Sequence, residues 1–169
     1  MLSYDIRELE RRAVQVDAEL APDDPIWAEG DPRPARPIRV TGRLSRAGSG
    51  RYYWSGRIDG TAAIDCRRCL AELSIEVAED VHVIYAEAGD EVGADPDTYR
   101  VPPHAEKIDL APAARDQWLL AVPGFALCRE DCRGICARCG ADLNEGPCDC
   151  PPESDNRWEA LRAARPASK

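Results

Sequence analysis

Eight cysteines arranged in four close pairs constrain this chain more than any other feature of its sequence. In chain order the pairs are C-x2-C, C-x3-C, C-x2-C and C-x-C. Zinc is commonly held by four thiolates in a tetrahedron, and cysteines two or three residues apart on a tight turn direct both sulfurs to one point. Two pairs fill one site, so the spacing predicts two Zn²⁺ ions per chain. The predicted metal ligands are Cys66, Cys69, Cys128, Cys132, Cys136, Cys139, Cys148 and Cys150.

Two ways of combining the pairs are open. The residues between Cys139 and Cys148 can turn the chain back, so that 136/139 and 148/150 form a local site while 66/69 meets 128/132 across the fold. In the alternative, 128/132 joins 136/139, and 66/69 joins 148/150. We favour the first, because its long-range closure ties the strands to the tail. Iron, an iron–sulfur cluster or reduced cysteines without a metal are the alternatives to zinc.

The composition explains why such a chain would need a metal. The net charge is -9, aromatic residues make up 6% of the chain, and alanine and cysteine inflate the hydrophobic share of 44%. A chain with few bulky apolar groups and a high net charge approaches the composition of disordered proteins. Metal binding can supply folding free energy that a small core lacks.

The compartment is predicted from two absences in the sequence. No apolar run approaches the length of a membrane span, and the charged start MLSYDIRELERR lacks the apolar region of a secretory signal. We therefore expect a cytoplasmic protein with reduced cysteines and no membrane partner.

Alternating apolar residues predict an antiparallel sheet. The patterns favour strands at 13–20, 37–46, 51–60, 61–65, 73–87 and 106–110, with a hairpin turn at 47–50 and a bulge at Gly42. Helical periodicity and capping predict helices at 5–12, 110–122 and 156–164. The predicted fold class is α+β: a strongly curled antiparallel sheet or open barrel with one or two helices and a zinc-stapled C-terminal segment. The predicted boundaries are 1–125 for the sheet and helix, 126–152 for the cysteine-rich segment, and 153–169 for a short helix and tail.

Charge is unevenly distributed along the chain. Between Arg33 and Arg57 there are seven arginines and no acid, whereas residues 72–109 are strongly acidic. Arginine binds phosphate, and the neighbouring rings of YYW at 52–54 can stack on unpaired bases, although strand alternation should bury one or two of them. The net charge repels RNA at long range, so a protein partner is an equal contender. The candidate contact residues are Arg39, Arg43, Arg46, Arg51 and Arg57.

The sequence argues against an enzyme. It lacks the common nucleotide-binding, hydrolase and metalloprotease motifs, and we interpret His82 and His104 as incidental. Two zinc ions with four cysteine ligands each leave no open position for water. A thiol–disulfide oxidoreductase is an alternative, but Cys66 and Cys69 lie between two strands rather than at a helix N-terminus. We therefore expect no small-molecule substrate.

The cysteine segments resemble a known family. The tail LCREDCRGICARCGADLNEGPCDC, the preceding KIDLAPAARDQWLLAVPGFALC and the central DCRRCL are similar to the bacterial YceD family. The resemblance implies a role in accumulation of large-subunit ribosomal RNA, with counterparts in chloroplasts, and supplies no catalytic residue. It favours a non-enzymatic factor that contacts large-subunit rRNA, a ribosomal protein of the precursor particle, or both. The alternative is a zinc-dependent protein–protein adaptor unrelated to the ribosome.

Overall fold

A five-stranded sheet forms the centre of the fold. The computed structural model describes residues 2–87 and 98–151 of the 169-residue chain. The elements in chain order are β1 (Ser3–Asp5), α1 (Ile6–Leu9), β2 (Val14–Leu20), β3 (Ile38–Gly48), β4 (Arg51–Asp65), β5 (Glu72–Glu87), β6 (Thr98–Val101), β7 (Lys107–Asp109) and α2 (Ala111–Ala121).

The sheet is mixed and open. Its strand order is β2-β3-β4-β5-β6, while β1 and β7 form a separate two-stranded ribbon. The first four strands of the sheet pair antiparallel, but β6 runs parallel to β5, with Ile84 opposite Thr98. The prediction of a purely antiparallel, strongly curled sheet or open barrel is therefore wrong. Parallel pairing needs a longer connection than a hairpin, and ten residues separate β5 from β6.

The strands predicted at 51–60 and 61–65 form one continuous strand. β4 pairs with β5 along its whole length, from Arg51 opposite Ala86 to Asp65 opposite Glu72. Gly60, at the junction of the two predicted strands, leaves space for packing. A Cβ at Gly60 would lie 2.6 Å from Ile38 Cγ2 and 2.9 Å from a ring carbon of Trp118.

The hairpin of β3 and β4 forms where the sequence predicts it. β3 ends at Gly48 and β4 begins at Arg51. The bulge predicted at Gly42 is absent, since the pairing is regular there and the register shifts between Arg46 and Gly48 instead. The irregularity therefore lies beside the turn.

The core lies on the inner face of the sheet, under α2. The helix contributes Ala113, Ala114 and Trp118, all fully buried. The indole N–H of Trp118 donates to the carbonyl of Pro32 (2.8 Å), and the Arg115 guanidinium pairs with a carboxylate of the same loop (2.8 Å). The helix thus holds the proline-rich segment 21–37 against the sheet.

The remaining elements agree with the sequence in part. The predicted helix at 110–122 and edge strand at 106–110 are confirmed as α2 and β7. The helix predicted at 5–12 shortens to α1, and no sequence pattern indicated β6. The predicted helix at 156–164 lies outside the described residues. Across residues 2–87 and 98–151, no helix is long and apolar enough to cross a bilayer.

Candidate metal centres

The first cluster joins the turn between β4 and β5 to the chain that follows α2. The Sγ atoms of Cys66, Cys69, Cys128 and Cys132 all lie within 4.8 Å of one another. Sγ of Cys66 is 3.8 Å from that of Cys132, and Sγ of Cys69 is 3.6 Å from that of Cys128. Metal–sulfur bonds of about 2.3 Å give a tetrahedron with sulfur–sulfur edges of about 3.8 Å, whereas a disulfide measures about 2.05 Å. The spacing fits four thiolates around one ion.

The second cluster lies entirely within the C-terminal segment. Its four Sγ atoms also lie within 4.8 Å of one another, and they belong to Cys136, Cys139, Cys148 and Cys150. The resulting grouping is the one that we favoured from the sequence. The clusters differ in burial: two cysteines of the first are almost fully buried, whereas none of the second is.

The two C-x2-C turns have the same backbone pattern. We call residues 66–71 the first cysteine turn and residues 136–141 the second. In each turn, the N–H of the first cysteine donates to the carbonyl five residues ahead (2.8 Å), and its carbonyl accepts from the N–H four residues ahead (2.9 Å). The residue after the second cysteine is left-handed in both, with φ of 59° at Leu70 and 74° at Gly140. Both turns therefore present two sulfurs in the same way.

Backbone N–H groups stabilise the thiolate form of the first cysteine in each turn. Donation from the N–H of Cys69, the largest cause, lowers the pKa of Cys66 to about 6. Donation from the N–H of Cys139 likewise lowers the pKa of Cys136 to about 6. The N–H of Arg138 contributes as well, at 3.4 Å from the Cys136 sulfur. Each cluster thus contains a thiol that is readily deprotonated near neutral pH.

Other cysteines in the same clusters show the opposite shift. The neighbouring Cys132 sulfur is the main cause that raises the pKa of Cys128 to about 12. In the second cluster, Cys139 does the same to Cys150, whose pKa also rises to about 12. Four adjacent thiolates repel one another, and a cation among them removes that repulsion and favours deprotonation of all four. Both donor sets could therefore hold a metal ion.

Asn144, three residues after the second cysteine turn, supports the first cluster. Its side-chain amide nitrogen lies 3.5 Å from the Cys132 sulfur, and its Oδ1 accepts from the N–H of Arg133 (2.8 Å). Burial acts to raise the pKa of Cys132, but donation from Asn144 and from the N–H of Gly134 gives a net lowering. The sequence did not indicate this role, because a single asparagine between cysteines has no distinctive spacing.

Hydrogen bonds also fix the first cysteine turn to the tail. The N–H of Arg67 donates to Ala126 O (2.9 Å), and the N–H of Ile135 donates to Arg68 O (3.0 Å). The Arg68 guanidinium donates to the carbonyl of Cys132 (2.8 Å). The sheet and the cysteine-rich segment are therefore joined by backbone hydrogen bonds as well as by the shared cysteine cluster.

The five candidate arginines divide between the two faces of the sheet. Arg43 lies opposite Ser55, which in turn lies opposite His82, and we call the face with these three residues the outer face. Arg46 lies opposite the buried Tyr52 and so belongs to the other face, where its Nε donates to Gly48 O (2.9 Å). Strand alternation places the remaining four on the outer face: Arg39, Arg43, Arg51 and Arg57.

Two of these arginines are paired with acids. Arg39 lies 3.2 Å from Asp17. Arg57 lies 2.9 Å from Asp59 and 3.0 Å from Asp80. Exposed pairs of this kind contribute little to stability, but they offset positive charge that would otherwise attract a polyanion. The segment 33–57 therefore presents less uncompensated positive charge in the structure than its sequence suggests.

The three rings of the hairpin confirm the expected division between core and surface. Tyr52 and Trp54 are buried, while Tyr53 is only partly buried on the outer face. The hydroxyl of Tyr53 is hydrogen-bonded to Nδ1 of His82 (2.8 Å). His82, which we interpreted from sequence as incidental, thus shares the outer face with the one accessible ring of this group.

Comparisons with known proteins agree with the cysteine pattern. A family model described as "Large ribosomal RNA subunit accumulation protein YceD" matches residues 54–163, a range that includes all eight cysteines. A Zea mays protein named chloroplastic YCED homolog 1 is 26% identical over 72% of this chain and 51% of its own length. Its Arabidopsis thaliana namesake is 36% identical over 36% of this chain and 19% of its own length.

Bacterial relatives are similar over a comparable range. An uncharacterized Mycobacterium tuberculosis protein is 30% identical over 63% of this chain and 52% of its own length. The chain thus spans about half the length, or less, of these curated relatives. No solved structure matches the chain.

Proposed function

We propose that this chain, which belongs to the YceD family of large ribosomal RNA subunit accumulation proteins, is a non-enzymatic zinc-binding factor in large-subunit biogenesis. The observation that carries the proposal is the family match over residues 54–163. The names of the plant relatives refer to the same rRNA. We place the activity in the cytoplasm, where thiols stay reduced and available to a metal.

Zinc is the metal that we assign to both clusters. Four cysteine sulfurs at tetrahedral spacing form a common structural zinc site, and such a site is closed to substrate. Zinc would neutralise part of the thiolate charge and fix the two cysteine turns against the tail. Its role here is to join the tail to the sheet rather than to activate water.

Large-subunit rRNA is the partner that we favour, with a ribosomal protein of the precursor particle as the second possibility. The outer face supports an RNA contact, because it exposes an aromatic ring beside arginine. Arg39 and Arg57 contribute less than the sequence suggested, since each is paired with an acid. A thiol–disulfide oxidoreductase is less well supported, because the two thiols whose pKa is lowered to about 6, Cys66 and Cys136, each belong to a cluster of four cysteines that fits one metal ion, and Cys66 is also fully buried.

Deletion of the encoding gene in its own organism tests the proposal. We expect the ratio of large-subunit to small-subunit rRNA to fall, and the intact gene to restore it. A tagged chain should co-sediment with large-subunit precursors rather than with mature ribosomes. An unchanged rRNA ratio, together with a chain that stays at the top of the gradient, would contradict the proposed function.

A further inference from the structure

Two rings lie side by side on the outer face of the sheet. Tyr53 and His82 occupy neighbouring strands, with their ring centroids 6.1 Å apart and their planes inclined by 11°. The tyrosine hydroxyl lies 2.8 Å from Nδ1 of His82. A hydrogen bond to a ring nitrogen runs close to the plane of that ring, so the two rings extend each other instead of overlapping. Together they form a flat aromatic surface about two rings wide.

The surroundings of the rings leave this surface accessible. Ser55 separates His82 from Arg43 along one row of the sheet, and Ser45 lies opposite Tyr53 in the next row. Both serines are small, so no bulky neighbour covers the rings from these positions. Ile84, opposite Tyr53 on β5, is 39% exposed and extends the apolar surface.

Arg43 supplies a positive charge beside the rings. Arg39 and Arg57, on the same face, are held by carboxylates. Within residues 2–87 and 98–151, the structure gives Arg43 no carboxylate partner. One serine separates it from His82 across the strands, so its flexible stem can bring the guanidinium to a phosphate next to a stacked base.

We propose that the outer face binds single-stranded RNA, with unpaired bases stacked on Tyr53 and His82 and a neighbouring phosphate held by Arg43. This inference rests on the proposed function and names the form of RNA that it recognises. Aromatic rings bind bases through their faces, which are covered in a duplex and open in a single strand. Among residues 2–87 and 98–151, the other large exposed apolar side chains, Leu70, Leu120 and Phe125, lie outside the strands of the sheet.

Fluorescence anisotropy with the full-length, zinc-loaded chain tests the inference. The probe is a labelled single-stranded RNA of about 10 nucleotides, compared with a duplex of the same length. Measurements belong at low ionic strength, because the net charge of -9 weakens binding of any polyanion. We expect the single strand to bind more tightly than the duplex.

Variants of the rings separate stacking from charge. Tyr53→Ala should weaken single-strand binding about five-fold to 150-fold, the usual range for one base–aromatic contact. Tyr53→Phe keeps the ring and should bind nearly as the native chain does. His82→Ala, at an exposed position, gives a second test of stacking that does not depend on Tyr53. Zinc content and circular dichroism establish that each variant is folded.

A matched charge reversal tests the phosphate contact. Arg43→Glu should weaken binding and reduce the slope of log affinity against log salt by about one. Arg12→Glu changes the net charge equally at an exposed position beyond α1, and should have a much smaller effect. Equal loss in both variants would show that net charge alone is responsible, and would overturn the assignment of Arg43.

The inference and the proposed function can fail separately. If Tyr53→Ala and His82→Ala both bind single-stranded RNA normally, the inference that bases stack on these rings is wrong. It is also wrong if the native chain binds the duplex as tightly as the single strand. If these variants retain RNA affinity but no longer co-sediment with precursors, the face binds a protein and the inference is also wrong. In either case, a native chain that restores the rRNA ratio leaves the proposed function intact.

Discussion

At the scale of single residues, Leu70 has a backbone conformation that normally favours glycine. Its φ is 59°, and the equivalent position in the second cysteine turn is Gly140 with φ of 74°. The left-handed conformation costs a residue with a Cβ about 1–2 kcal/mol. Leu70 is 61% exposed, so burial of its side chain does little to offset that cost. The first cysteine turn therefore contains avoidable strain.

Exchanging residues between the two turns tests this account. Leu70→Gly should stabilise the zinc-loaded chain by about 0.5–1 kcal/mol, since relief of strain exceeds the added entropy of the unfolded glycine. Gly140→Ala should destabilise the second turn by about 1 kcal/mol, although no atom lies within 4 Å of the added Cβ. The denaturant midpoint of each variant, with unfolding monitored by the release of zinc, measures both changes. A destabilising Leu70→Gly would show that this side chain stabilises the fold despite its exposure.

The sequence predicted the candidate ligands but not the residues that support them. Cysteine spacing is a local signal, so all eight thiols could be assigned and Gly140 could be expected at a turn. The contact of Asn144 with Cys132 depends on how the chain after the second cysteine turn folds back on the first cluster. For the same reason, nothing in the alternation of β5 showed that His82 would lie against Tyr53.

At the scale of elements, the first cluster connects the sheet to the C-terminal segment. Cys66 and Cys69 lie in the turn between β4 and β5, whereas their partners follow α2. The N–H groups of Arg67 and Ile135 make hydrogen bonds across this boundary. Disrupting the first cluster should therefore loosen the contact between two elements, and not merely one turn.

Hydrogen exchange of two cysteine variants tests this coupling. In Cys66→Ser, the N–H groups of Arg67 and Ile135 should lose protection, because a structural zinc site contributes directly to folding free energy. In the matched variant Cys136→Ser, the Arg67 N–H should stay protected while that of Gly140 exchanges faster. Unchanged protection of Arg67 and Ile135 in Cys66→Ser would show that the first metal does not join the sheet to the tail.

Element prediction succeeded where the pattern was long and failed where pairing was distant. Period-2 alternation in β3 and β5, and the helical spacing in α2, extend over enough residues to be read locally. β6 has four residues, and its parallel partner is fixed by tertiary packing rather than by its own pattern. The expectation of an antiparallel barrel followed from hairpin spacing alone, which carries no information about β6.

At the scale of the whole molecule, the apolar core and the two cysteine clusters differ in burial, from the fully buried core to the partly exposed second cluster. The core extends from Leu2 to Val122 and includes three buried tryptophans, Trp27, Trp54 and Trp118. Cys66 and Cys132 adjoin it with 0% and 2% exposure, whereas the second cluster has no buried cysteine. A chelator should therefore reach an ion in the second cluster more easily than one in the first.

The zinc-loaded chain should therefore lose its two ions one after the other. On addition of a chelator, the second cluster should release zinc first, because its thiolates are more exposed, and the first cluster should follow more slowly. A colorimetric metal indicator would show two phases of one ion each, and Cys148→Ser should abolish the fast phase only. Near-ultraviolet circular dichroism of the buried tryptophans should change little during the fast phase, since the sheet has its own core. Release of both ions in a single phase, or loss of the tryptophan signal with the first ion, would show instead that the clusters and the sheet behave as one cooperative unit.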